Sequence, residues 1–309
     1  MNQHNLDFLP SLNLIQAISE KQNLRFSASQ TLNRPEYREL APFAFYDFST
    51  QFVLSGNDSL QRAKITNLDA RYEYYPGNGQ LITASVFVKH FSNPIEQIAR
   101  PDVMNEISYK NVGNAINYGL ELELKLNAGS VLKRDSSSWV NNLTFFTNLG
   151  FIQSKVDVSQ NIGTPYNTRP LQGQSPYIFN LGLNYQTESL WSISANVNTV
   201  GSRIYILGSV LQPDIWEKSR TFIDLQLAKS FLDKKLELKL NCQNLLAQNL
   251  IFYQNSYQEL RQDVGITRAI NYLFYGNPQG DNRYEEGKDD LVWKTKFGRT
   301  FSFVATYKF

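Results

Sequence analysis

Two kinds of side chain in this 309-residue sequence could do chemistry, and only one kind is usefully spaced. The first is acidic: Asp281, Glu285, Glu286, Asp289 and Asp290 crowd the run DNRYEEGKDD. A calcium loop needs acidic or amide ligands at alternate positions before its glycine, and this run does not provide them. A solvated loop is the better reading. Two histidines, His4 and His90, cannot build a metal cluster. Neither is placed for Ser-His-Asp catalysis, since one lies near a terminus and the other at a strand end. No glycine-rich phosphate loop follows a strand and opens a helix. The sequence therefore points to no catalytic residue, no metal and no cofactor. The second kind is suited to recognition. Residues 33–63 carry Arg34, Arg38, Phe43, Phe45, Tyr46 and Phe48, and residues 248–291 carry Tyr253, Tyr257, Arg261, Arg268, Tyr272 and Tyr275. Aromatic rings stack on sugars or other ring systems, and guanidinium groups fit carboxylates or phosphates. For any single residue the competing reading is packing of one loop on another.

Both segments are loops, so something rigid must hold them. Period-2 alternation recurs along the chain and helical period is almost absent. The cleanest runs are Leu120–Leu126, Tyr177–Tyr185, Trp191–Val197 and Leu236–Cys242. Weaker ones lie at 9–18, 22–32, 64–75, 79–91, 138–152 and 218–231, and a last strand is expected at about 292–309. That makes eleven strands, many of them of the length needed to cross a bilayer rather than the five or six residues usual in globular sheets. In the four cleanest runs the apolar parity carries no charge, while Glu121, Glu123, Lys125, Glu237 and Lys239 share the polar side. Lys229 breaks its strand's parity, but close to a turn, where a lysine can snorkel. Cys242, the single cysteine, lies on the apolar side and reads as a small hydrophobe with no internal disulfide to make. A net charge of +2 gives no reason to expect a nucleic-acid partner.

The connections alternate strictly. Short ones fall near residues 19–22, 76–78, 129–137, 189–190 and 232–234, and long ones at 33–63, 92–112, 153–174, 203–217 and 248–291. In an up-and-down antiparallel sheet this puts every tight turn at one end and every large loop at the other, the pattern of an outer-membrane barrel. Trp139, Trp191, Trp216 and Trp293 all fall near strand ends, two at each rim, as an aromatic girdle would. The fold expected is all-β: an antiparallel up-and-down transmembrane β-barrel with about eleven strands present.

Five ordered segments carry a resemblance: NRPEYRELAPFAFYDF (33–48), AINYGLELELK (115–125), LQGQSPYIFNLGLNY (171–185), LKLNCQNLLAQ (238–248) and GRTFSFVATYKF (298–309). They resemble TonB-dependent outer-membrane receptors, most closely the Bacteroidota type with a carboxypeptidase-regulatory-like domain before its plug. The resemblance implies a 22-stranded barrel filled by an N-terminal plug, importing bulky nutrients such as siderophores, glycans or peptides. Residues 1–309 would then be the second half of the barrel, with Arg34, Arg38, Tyr46, Tyr253, Tyr257, Arg261 and Tyr272 as ligand-contact candidates. The closing strand, through Phe303, Tyr307 and Phe309, would present the signal read by the barrel-assembly machinery. Implied partners are outer-membrane lipid, that machinery, TonB through a plug, and a surface lipoprotein. No signal peptide, TonB-binding segment, plug or first barrel half is visible, and open sheet edges in hydrocarbon are costly. A part of a larger receptor is therefore expected. The alternatives are a non-transporting barrel or adhesin, a non-functional gene fragment, and, more distantly, a soluble carbohydrate-binding domain.

Overall fold

Sustained alternation of apolar and polar residues gives strands whose two faces want different surroundings. The computed structural model describes residues 6–48, 50–77, 79–103, 105–132, 139–158, 168–209, 212–255 and 284–309. In chain order the strands begin with β1 (Ser11–Ser19), β2 (Gln22–Asn33), β3 (Ala44–Asp47), β4 (Phe52–Ser55), β5 (Ala63–Tyr74), β6 (Leu81–Ser92) and β7 (Ile95–Ala99). They continue with β8 (Glu106–Asn111), β9 (Ala115–Asn127), β10 (Leu143–Asp157), β11 (Thr168–Arg169), β12 (Tyr177–Gln186), β13 (Trp191–Val200) and β14 (Arg203–Ile206). The last are β15 (Ile215–Glu217), β16 (Arg220–Phe231), β17 (Leu236–Gln243), β18 (Leu250–Gln254), β19 (Asp290–Thr295) and β20 (Thr300–Tyr307). Eleven of them pair in the order β1-β2-β5-β6-β9-β10-β12-β13-β16-β17-β20, every neighbour antiparallel, with β11 pairing only β10. The sheet is open, and every residue of its edge strands β1 and β20 is exposed.

Register turns the alternation into rows. Leu14, Phe26, Ala70, Val86, Leu120, Phe151 and Tyr177 stand side by side on one face across seven strands. Leu143, Tyr185, Ile193, Leu227, Leu240 and Phe303 make a second row on that face. On the other face run Asn23, Glu73, Thr83, Glu123, Asn148, Asn180 and Asn198. A sheet in water covers its apolar face with a second layer. Here none of the described residues does so: Val86 is 54% exposed, Leu240 55% and Phe301 73%. An unbroken apolar face of eleven strands far exceeds what a soluble monomer shows. Its solvent is hydrocarbon.

The buried core lies elsewhere, at the end carrying the long connections. Strands β3-β4-β8-β7 form one small sheet there and β14-β15-β18-β19 another. Phe52, Ile107, Ile206, Ile215 and Phe252 pack between them, with Trp293 stacked on Phe252 at 4.1 Å. Segments expected as loops thus carry short strands of three to six residues, too short to alternate visibly. Two expectations are corrected by this. Trp216 is buried and Trp293 partly buried in the loop core, so neither is a girdle residue, whereas Trp139 and Trp191 stay exposed at the turn end. The expected last strand at 292–309 is two: β19 joins β18 in the loop sheet and β20 joins β17 in the wall. The stacking of Trp293 against Phe252 holds the first part away from the wall.

The off-parity Lys229 behaves as its position suggests. Its ammonium donates to the Ser189 carbonyl at the turn and lies 5.1 Å from the Trp191 ring. Aromatic rings on the polar face have a separate explanation. The Phe87 ring covers Gly119 on the next strand, where a Cβ would stand 2.8 Å from the ring and 2.5 Å from the Phe151 carbonyl oxygen. Gly119→Ala should therefore destabilise the wall by about 1–3 kcal/mol through overpacking. Urea unfolding in detergent measures this, and Phe87→Leu should relieve only part of it, because the backbone contact remains.

Candidate functional site

The polar face carries a chain of ion pairs. Glu73, almost wholly buried, faces the Arg25 guanidinium at 2.9 Å and that of Arg71 at 3.2 Å, and accepts from the Tyr75 hydroxyl at 3.0 Å. Arg71 reaches on to Glu123 at 2.8 Å, so β2, β5 and, across the intervening β6, β9 are linked on the face that looks into the barrel. Charges are accommodated here because their partners sit at fixed register.

At the loop end a second network joins three connections. Arg169 donates to both oxygens of Glu96, one at 3.1 Å, in a pair whose side chains are 13% and 2% exposed. The Gln172 N–H donates to the same carboxylate at 2.8 Å. The Gln172 amide then donates to the Tyr205 carbonyl at 2.6 Å and accepts the Gln97 N–H at 2.6 Å. Backbone bonds from Ala99 to Leu207 and from Leu207 to Gln97 complete the joint. One buried ion pair thus fixes connections 92–112, 153–174 and 203–217 to one another.

Asp214 lies in the same neighbourhood. Burial raises its carboxyl above the ordinary value of 3.8, opposed by the Gly208 N–H at 2.7 Å and by the charge of Arg169. The folded protein therefore holds this proton more tightly than the unfolded chain does. That contribution to stability is present in full below pH 3.8 and is lost as pH rises through the folded value. Asp214→Asn keeps an acceptor for Gly208 and removes the titration. Amide exchange at Ile215–Glu217, corrected for intrinsic rates, should lose that part of its pH dependence in the variant.

The ligand-contact candidates are dispersed over this end. Arg34 is largely exposed and pairs with Asp7 at 3.5 Å, Arg38 lies 4.8 Å from the Phe45 ring, and exposed Tyr46 meets Phe48 edge-on at 5.1 Å. Tyr253 is fully buried, packed with Ile204, Leu207 and Trp216, so its ring belongs to the loop core. Tyr257, Arg261, Tyr272 and the acidic Asp281 lie outside the described residues. The remaining acidic cluster closes its own turn, with Glu285 paired to Lys288 at 2.7 Å and its N–H donated to Asp289 at 2.6 Å. Phe303 and Tyr307 project from the exposed closing strand, opposite Leu240 and Leu236, and Phe309 lies just past it with its ring 5.2 Å from that of Tyr307. Sequence reasoning missed Glu96, Arg169, Gln172 and Asp214. Each lies inside a long connection with no alternation to mark it, and the partners are up to 76 residues apart.

Comparison with known proteins agrees with this architecture. The ferric enterobactin receptor of Pseudomonas aeruginosa is 28% identical over 213 residues, which cover 63% of this chain and 26% of that protein. The crystal structure of a mutant of the same receptor superposes with a TM-score of 0.58 at 19% identity, covering 98% of this chain and 40% of that one. Copper transporter OprC gives 0.58 at 19% identity, and the FrpB iron transporter of Neisseria meningitidis 0.54 at 13%. These likenesses show the fold, and the chain spans about two fifths or less of each relative's length. The model of the family described as TonB dependent receptor-like, beta-barrel matches residues 2–245. With its bare apolar face, charged inner face and one-ended loops, this chain belongs to the TonB-dependent receptor β-barrel family and is an integral outer-membrane protein of a Gram-negative bacterium.

Proposed function

We propose that residues 1–309 form the C-terminal part of the barrel wall of an active importer, with the two small sheets as its outward capture surface. The single observation that carries this reading is the division of the molecule. Among the described residues its apolar face is uncovered over eleven strands, while the clusters of buried apolar side chains lie at the end where the long connections gather. The wall provides passage and the loop end provides contact, so no group need react with the ligand. Such a wall would take its energy from TonB through a plug and its place in the membrane from the barrel-assembly machinery acting on Phe303, Tyr307 and Phe309. A surface lipoprotein would cover the loop end. The cargo is a bulky nutrient, a siderophore, glycan or peptide. The test is deletion of the gene in its host, followed by growth on each class as sole source of iron, carbon or nitrogen. Loss of growth on one class, restored by the gene but not when TonB is also removed, is the expected result. Unchanged growth on all three would leave an adhesin or a non-transporting barrel as the better account.

A further inference from the structure

A cavity of about 530 Å³ opens on the inner face, beneath the segment 171–174 that the buried Glu96–Arg169 pair holds in place. Its floor is strands β5, β6, β9 and β10, and its chemistry comes from Asp69, Phe87, Lys89, Asn117 and Glu121. Three features say that it is built to hold something. Asn117 is 5% exposed and donates its amide to Gln174 at 3.2 Å, yet its Oδ1 is buried and receives no hydrogen bond. Lys89 forms no ion pair among the described residues, and its ammonium lies 5.6 Å from the Phe87 ring. Glu121, exposed at the other end of the cavity, likewise has no cationic partner among them. A buried acceptor without a donor is costly.

Register gives the spacing. Lys89 stands opposite Asn117, and Glu121 is four residues further along the same strand, about 13 Å away at about 3.3 Å per residue. Asp69 stands opposite Phe87, between those two ends. A positive group at one end, carboxylates towards the other, an amide acceptor beside the cation and an aromatic floor between describe the complement of an extended zwitterion. A neutral sugar would leave both charges unanswered. We propose that this cavity binds a zwitterionic peptide of about four residues, a length set by the same rise per residue. Its terminal carboxylate meets Lys89, a backbone N–H near it meets Asn117 Oδ1, and its ammonium meets Glu121. This rests on the importer reading and names the cargo class of that importer.

The experiment is calorimetric titration of the full chain, extracted in detergent from isolated outer membranes, with tetra-alanine, its N-acetylated amide and maltotetraose. Tetra-alanine should bind saturably, and the capped peptide and the sugar at least about tenfold more weakly, the loss expected for charge-assisted contacts. Lys89→Met should weaken tetra-alanine by a similar factor while leaving the capped peptide unchanged, a pattern that misfolding would not give. Glu121→Gln should do the same from the other end. If tetra-alanine does not bind, or if the capped peptide or the sugar binds equally well, the site is overturned and the wall reading survives. If the chain is not recovered from outer membranes, the wall reading falls and the site falls with it.

Discussion

Arg169→Met should cost about 3–5 kcal/mol and loosen the whole loop end, because it strands the Glu96 carboxylate in a site where its side chain is 2% exposed. The loss is not the value of one ion pair. Glu96 also receives the Gln172 N–H, and Gln172 in turn ties Gln97 to Tyr205. Amide exchange should therefore accelerate together at Gln97, Ala99, Gly173 and Leu207, whose backbone N–H groups bond across connections. The amides of β9 and β10 in the wall should stay protected. The double variant Glu96→Leu with Arg169→Met removes both charges, and should recover much of the stability because no unpaired carboxylate is left. If the single variant leaves exchange at all four amides unchanged, the pair does not hold the loops.

Val197→Arg should cost about 2–4 kcal/mol, while Asn196→Arg one residue away should cost little. Val197 stands between Leu181 and Ile223 on the face that meets lipid. Asn196 stands opposite Asp224 on the inner face, where water and a carboxylate can receive a guanidinium. The contrast isolates surroundings from strand propensity, since both substitutions put the same side chain at the middle of β13. Unfolding in lipid vesicles should show the first as a large loss and the second as a small change of either sign. Equal costs would mean that the two faces share one solvent.

Much of this wall was legible in the sequence because its two faces meet different solvents, so side-chain type must alternate along every strand. Runs such as Leu120–Leu126 and Leu236–Cys242 fall inside β9 and β17 for that reason. The loop sheets were illegible for the converse reason. All three residues of β15 are buried, leaving no alternation to see. Strand β4 pairs in parallel with β8, about fifty residues away, which no local pattern announces. Trp216 and Trp293 fall near strand ends by sequence and in a packed core by structure, and only long-range packing separates those outcomes. Glu96 and Arg169 were invisible too, since an ion pair between two connections leaves no periodic trace.

One face of this sheet meets lipid and the other water, and the single cysteine makes that directly measurable. In a Cys242→Ser background, single cysteines would replace Ile193, Ser194, Ala195, Asn196, Val197 and Asn198 in turn and be labelled with a fluorophore in lipid vesicles. Period-2 quenching is expected, with 193, 195 and 197 quenched by a nitroxide on the lipid chain and 194, 196 and 198 by a water-soluble quencher. Uniform access of the water-soluble quencher to all six positions would contradict it.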